Sequence, residues 1–312
     1  MEKLAVVAVG GNALIADNSR TSFGDQEVVA RQTAASIVEL IVKGWNVVVT
    51  HGNGPQVGFE LIRSNAAAAE TPPLPMDACG AATQGLIGTL LVRGLTLALA
   101  ERGIDRPVVT VVTHVAVDEA DPAFAKPTKP VGPFYKPEEA LAKAEQEGWT
   151  VREDAGRGWR RVVASPQPRE VVEAQAIARL VAAGVIVVAC GGGGIPVVRD
   201  GGGLRGVAAV IDKDLASCVL AGELGAEVLV VATNVRQASL HYGKPEQQDL
   251  AVINLHDGKR FMAEGHFASG SMGPKVQACL EFVESGGRSA ICHLEDLVGA
   301  AAGTAGTQVK AP

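Results

Sequence analysis

The segment Ser271-Met272-Gly273-Pro274-Lys275-Val276 follows a Gly/Ser turn and opens an apolar-periodic run that ends at Val283. Proline has no N–H to lose in the first turn of a helix, and its fixed φ suits that place. Lys275 therefore falls where unpaired helix-start N–H groups and the positive end of the helix dipole already favour an anion. A cation there is locally unfavourable unless a multivalent anion such as a phosphate sits beside it. The alternative is a solvated surface lysine. A second lysine, Lys213, lies between Asp212 and Asp214 at the start of another helical stretch, where an N-cap aspartate would explain one of the two acids. A third, Lys129, lies in the proline-rich run Pro127-Thr128-Lys129-Pro130-Val131-Gly132-Pro133, where an ordinary loop lysine is the alternative.

Three turns stripped of side chains accompany these lysines. The apolar run Ala5 to Val9 stops at Gly10-Gly11-Asn12, Val47 to Thr50 stops at His51-Gly52-Asn53-Gly54, and Val185 to Cys190 stops at Gly191-Gly192-Gly193-Gly194. Each reads as a buried strand and a turn. Glycine allows φ > 0 and lets backbone N–H groups approach a ligand. In a parallel sheet such turns lie at the carboxyl ends of the strands, where ligands bind. One such turn is usually only a turn; three, with a Pro-Lys helix start, point to an anion site. None is GxxxxGK[ST], which excludes a P-loop, and none reads as the GxGxxG of a Rossmann dinucleotide site.

These residues need a large scaffold, and 312 residues supply one. Hydrophobic residues make up 47% and charged residues 20%, which excludes a disordered chain. A net charge of −6 argues against nucleic acid as a partner, yet leaves room for a small anion held by a few lysines. Five scattered cysteines without CxxC read as reduced thiols of a cytoplasmic protein, and no apolar run suggests a signal peptide or a membrane span.

Strands and helices alternate. Helices are predicted at Gln26–Lys43, Met76–Ala100, Arg169–Ala183, Lys213–Leu224 and from Pro274 onward, and strands at 46–50, 108–113, 228–232 and 289–293. Gly80, Gly85 and Gly88 in the second helix suggest close packing. The pattern is α/β with a largely parallel sheet. Residues 115–168 break the rhythm, holding seven of 16 prolines and five of 12 aromatic residues. They read as a small folded lid with a short helix at Glu138–Glu147, inserted into one domain of 1–312.

In family order over nearly its whole length, the chain resembles the carbamate kinases of the amino acid kinase superfamily. The resemblance rests on Gly10 to Leu14, His51 to Gly58, Asp77 to Ala81, Pro127 to Tyr135, Gly191 to Val197, Ile211 to Ser217 and Gly270 to Val276. Other members usually carry a lysine just before the first Gly-Gly; here Ala8-Val9 stands there, and Lys129 looks like the substitute. Gly273 is smaller than its counterpart in many relatives, and Thr233-Asn234-Val235 lacks an acid common there. The resemblance implies a three-layer αβα sandwich that catalyses ATP + carbamate ⇌ ADP + carbamoyl phosphate with Mg2+ on the nucleotide and no metal held by protein side chains alone. Lys213 and Lys275 would clamp the β- and γ-phosphates, Lys129 would reach in from the lid, and Asp214 would orient the lysines, with Asp212 as the alternative. The N–H groups of Gly10, Gly11, Asn12, Gly52 and Asn53 would hold carbamate and the moving phosphoryl group. Thr233, Tyr242, Met272 and Gly273 would lie near the nucleotide. Of six histidines, five read as structural or surface and His51 as a support of the site.

The resemblance further implies that residues 1 to about 205 form the carbamate side and about 206–312 the nucleotide side, in a cytoplasmic homodimer serving arginine, agmatine or purine catabolism or carbamoyl phosphate synthesis. No nucleic acid or membrane partner is expected. Rival readings are a kinase that makes a different acyl phosphate and a nucleotide-binding regulator without catalysis.

Overall fold

The computed structural model describes residues 3–11, 14–15, 19–154, 158–268 and 270–311. Strand β1 (Leu4–Val9) is followed by α1 (Phe23–Val42), β2 (Asn46–His51), α2 (Gly54–Ala66) and α3 (Met76–Glu101). Next come β3 (Val108–Thr110), β4 (His114–Val117), the single turn α4 (Pro122–Ala125), β5 (Lys129–Tyr135), α5 (Pro137–Glu147), β6 (Thr150–Glu153), β7 (Trp159–Val163) and β8 (Pro168–Val171). Then follow α6 (Ala174–Ala182), β9 (Ile186–Ala189), β10 (Ile195–Asp200), β11 (Gly203–Gly206) and α7 (Lys213–Glu223). The chain continues through β12 (Val228–Thr233), the pair β13 (Ala238–Leu240) and β14 (Gln248–Leu250), β15 (Val252–Asn254), α8 (Leu255–Ala263), α9 (Met272–Glu284), β16 (Arg288–His293), α10 (Leu297–Ala302) and β17 (Thr307–Lys310).

An eight-stranded sheet in the order β15-β17-β16-β12-β1-β2-β9-β3 forms the middle layer. Every pairing in it is parallel except β16 with β17. The central strands are buried on both faces, which is why they read as unbroken apolar runs. Val7 and Val9 share a core with α1, α3 and α10, whereas Val6 and Ala8 share another with α6, α7 and α9. This is a three-layer α/β sandwich.

The first helix begins earlier than predicted because Ser22 and Asp25 form a reciprocal capping box. The helix predicted over Arg169–Ala183 is a correction: Pro168–Val171 is a strand paired antiparallel with β4, and only Ala174–Ala182 is helical. The β-branched pair Val171-Val172 and the preceding proline favour an extended start. Of the three α3 glycines expected at a close approach, Gly88 makes one and Gly80 and Gly85 do not, while Gly94 makes one that was not expected. A Cβ on Gly88 would strike Thr110 and one on Gly94 would press on Ala30 and Ala34, while Gly80 and Gly85 face open space. By length and composition α3 could cross a membrane, but Leu90, Leu91 and Leu95 on it are core residues.

Besides the β13-β14 pair, two smaller sheets lie beyond the main one among the described residues. The order β11-β10-β4-β8 defines one of them, and β5-β7-β6 defines the other, which carries Lys129 on its first strand. In the latter, the Arg161 guanidinium lies 4.9 Å and the Lys143 ammonium 5.1 Å from the Trp149 ring, with Tyr135 6.0 Å away.

Candidate active site

Helix α7 opens at the buried end of a short connection whose Ile211 is 1% exposed. Asp212 is the N-cap, and one of its oxygens accepts the Asp214 N–H at 2.9 Å. Its other oxygen accepts the Lys129 ammonium at 2.8 Å, which ties the three-stranded sheet to the helix start. Asp214, only 2% exposed, binds Lys213 through Oδ1 at 2.7 Å and Lys275 through Oδ2 at 2.8 Å. Burial alone would raise the Asp214 carboxyl, but the two ammonium groups outweigh it and hold the acid below its ordinary value. Burial lowers Lys213, Asp214 partly offsets this, and Lys275 lowers it further. Three ammonium groups against two carboxylates leave one net positive charge. Burying so many charges is expensive unless they serve a ligand, and here the surplus favours an anion.

Two cavities meet at this cluster, and a third adjoins them at Ser271. One of about 230 Å3 is lined by Lys129, Lys213, Lys275, Asn53 and Gly192. A second, of about 650 Å3, shares Lys213, Lys275 and Ser271 with it and adds Gly10, Thr233 and His293. A third, of about 670 Å3, continues from Thr233, Asn234 and Ser271 to His241, Tyr242 and Met272. All open at the carboxyl ends of β1, β2, β12 and β16. Strand β1 pairs with β2 on one side and β12 on the other, so the chain's two directions across the sheet diverge here, as in other open α/β sites.

The turns do different work from one another. His51 is buried, and its Nδ1 lies 3.0 Å from the Gly52 carbonyl, so that nitrogen carries the proton and donates. Burial, with a smaller contribution from Lys213, lowers its pKa to about 4. The imidazole is therefore neutral near pH 7 and adds no charge beside the lysines. The Gly191–Gly193 run, expected as a ligand turn, places Gly192 at the small cavity and also admits neighbouring residues. A Cβ on Gly191 would collide with the His51 ring, one on Gly192 with the Asn53 amide and one on Gly193 with the Ile211 carbonyl. The Gly52 N–H, expected to meet the ligand, instead donates to the Val9 carbonyl at 3.1 Å. Helix α2, which was not predicted, begins at Gly54 at the end of that turn, and its first N–H groups have no partner inside the helix.

The structure thus brings Lys129, Lys213, Asp214, Lys275, Gly11, Gly52 and Asn53 to one cavity, with Gly10 and Thr233 in the next and Tyr242 and Met272 in the third. Gly273 does not line them; its N–H donates to the Ala268 carbonyl, and a Cβ there would lie 3.1 Å from that oxygen. Asn12 lies outside the described residues. Sequence reasoning missed the pair His241 and His266, whose rings meet edge to face at 4.7 Å beside the third cavity. Nothing in their spacing, 25 positions apart, signals that meeting. Among the described residues, no three His, Cys, Asp or Glu side chains converge to hold a metal.

The family model for the amino acid kinase family matches residues 3–293. The chain is 48% identical over 312 residues to a carbamate kinase of Pyrococcus furiosus, covering 99% of each chain. It is 49% identical over 311 residues to a carbamate kinase of Thermococcus kodakarensis, covering 98% of this chain and 99% of the other. Its fold superposes with a TM-score of 0.93 on a carbamate kinase from Giardia lamblia bound to AMP-PNP, at 41% identity over 100% of this chain and 99% of that one.

Proposed function

The chain belongs to the amino acid kinase family, and from that premise we propose that it is a carbamate kinase, transferring a phosphoryl group reversibly between ATP and carbamate to give ADP and carbamoyl phosphate. The observation that carries this reading is the cluster of three lysines on two aspartates where two cavities meet. Phosphoryl transfer needs its participants held in line and the charge on the moving group neutralised, more than it needs acid–base chemistry.

Adenosine is assigned to the cavity with Tyr242 and Met272, and the phosphates to the one with Gly10 and Thr233. Carbamate is assigned to the smallest cavity. Lys213 and Lys275 border both the phosphate and carbamate cavities, which suits cations that follow the γ-phosphoryl group across. Lys129 borders only the carbamate cavity, which suits a contact to the acceptor and the arriving phosphoryl group. A carbamate oxygen forms the new bond to the γ-phosphorus. The bond from that phosphorus to the β,γ-bridging oxygen breaks, and its electron pair leaves on ADP. Carbamate is already an anion, so no proton needs removal and no general base is required.

Asp212 and Asp214 are committed to lysines, so the side chains fit a Mg2+ held by the nucleotide's phosphates and water, where it would neutralise phosphate charge. Residues 115–168 are taken as the lid, with its β5-β7-β6 sheet as the part that carries Lys129. Residues 1 to about 205 are taken as the carbamate side and the remainder as the nucleotide side. A cytoplasmic homodimer with a role in arginine metabolism rests on the family likeness. The test is ATP formation by the purified protein from ADP and carbamoyl phosphate with Mg2+. Phosphorylation of another acid with no such activity would overturn the reading.

A further inference from the structure

We infer that the side-chain amide oxygen of Asn53 accepts a hydrogen bond from the NH2 group of carbamate and so distinguishes it from acids that lack an N–H. This rests on the carbamate kinase reading above and goes beyond it, because the backbone turns and lysines can hold any small acyl phosphate by its oxygens. The NH2 group is what sets carbamate apart from acetate, and only an acceptor can read it.

The orientation of the Asn53 amide follows from its neighbours. The Gly80 carbonyl can only accept, so the Thr83 hydroxyl at 2.6 Å donates its single proton to it. That leaves the Thr83 oxygen as an acceptor. It faces the Asn53 amide nitrogen at 2.8 Å, which must be the donor. The two ends of the amide are thereby distinguished by the network. The remaining end is the carbonyl oxygen, which has no protein partner among the described residues. Asn53 is only 7% exposed, and it lines the small cavity beside Lys129, Lys213 and Lys275.

Two further observations fit a ligand contact. Asn53 is the N-cap of α2, where asparagine ordinarily folds its oxygen back onto the helix N–H groups, yet it makes no such bond. Gly192 backs the amide so closely that a Cβ would fall 2.2 Å from the amide nitrogen. The side chain is therefore held away from its usual local partner and between two fixed walls.

The experiment compares ATP formation from ADP with carbamoyl phosphate and with acetyl phosphate, which has CH3 in place of NH2. The variants are Asn53→Leu, Thr83→Val and Thr83→Ser, with thermal melting as the check on folding. The ratio of kcat/KM for carbamoyl phosphate over acetyl phosphate is expected to fall about 10- to 100-fold in Asn53→Leu. It should fall in the same sense in Thr83→Val, where the amide is free to turn its NH2 toward the cavity, and hold in Thr83→Ser, which keeps the hydroxyl. KM for ADP should not move. Equal slowing with both donors, leaving the ratio unchanged in a folded Asn53→Leu or Thr83→Val protein, would overturn the inference and leave the carbamate kinase reading standing. A wild-type protein inactive with carbamoyl phosphate would overturn that reading and this inference with it.

Discussion

Each ammonium group of the lysine cluster already sits on a carboxylate, so a substitution there acts on stability as well as on rate. Lys275→Met removes a cation from the site of developing charge, typically worth about 10²–10³ in turnover by analogy with lost oxyanion donors. It also leaves the buried Asp214 with one ammonium group instead of two, and breaking a buried pair costs about 3 kcal/mol or more. Adding Asp214→Asn should recover part of the lost melting temperature and none of the turnover. Near-normal turnover in the single variant would reduce Lys275 to a structural partner of Asp214. His51 makes a separate pH prediction. Its folded pKa of about 4 lies below the ordinary 6.5, so the unfolded chain binds its proton first. Stability from this residue is fully present above pH 6.5 and is lost as pH falls toward 4, by on the order of 3 kcal/mol. Denaturant unfolding at pH 7 and pH 4.5 should show that slope, and His51→Asn, which keeps a donor near the Nδ1 position, should flatten it. Lys213 and Lys275 were legible in the sequence because they stand at helix starts, Lys213 between two acids, and Lys129 because it lies in the proline-rich run that the family resemblance covers. The state of His51 was not, since only the folded chain shows how fully its ring is buried.

Helix α7 and strand β5 meet through a single carboxylate. Asp212 caps the helix with one oxygen and holds Lys129 with the other. Asparagine caps a helix about as well as aspartate but carries no charge. Asp212→Asn should therefore melt close to wild type while loosening Lys129, raising KM for carbamoyl phosphate and leaving KM for ADP unchanged. A large loss of melting temperature with unchanged kinetics would make Asp212 a cap alone. Strands β1, β2, β9 and β12 were legible as elements because burial on both faces leaves an unbroken apolar run. The start of α6 was misread because Val171 and Val172 fit a helical face and an extended pair equally well. The Gly191–Gly194 turn was found, but its close contacts with neighbouring residues were not foreseen. A glycine that admits a ligand and one that admits a neighbouring side chain look alike until the His51, Asn53 and Ile211 contacts are seen.

Across the whole molecule, the alternation of strands and helices announced the large parallel sheet, whereas the smaller sheets were hidden. Their strands are short, carry prolines and glycines, and pair with segments far away in sequence, as β4 does with β8 and β10. The small β5-β7-β6 sheet has its own aromatic and cationic cluster, and it reaches the cavity through Lys129 and its neighbours. The nucleotide is assigned to cavities that Lys129 does not border, on the far side of Lys213 and Lys275. Lid closure is a common way to complete a phosphoryl-transfer site and exclude water. Lys129→Ala should therefore lower turnover strongly, by about 10²-fold or more if its ammonium group meets the moving phosphoryl group. ADP affinity measured by calorimetry should stay nearly unchanged. Crystal structures of the free protein and of a complex with a nucleotide analogue should show the 129–163 sheet in different orientations relative to the main sheet. An ADP affinity that falls as much as turnover, or a sheet fixed in one place in both structures, would mean that this part of the molecule is a rigid wall of the site and not its lid.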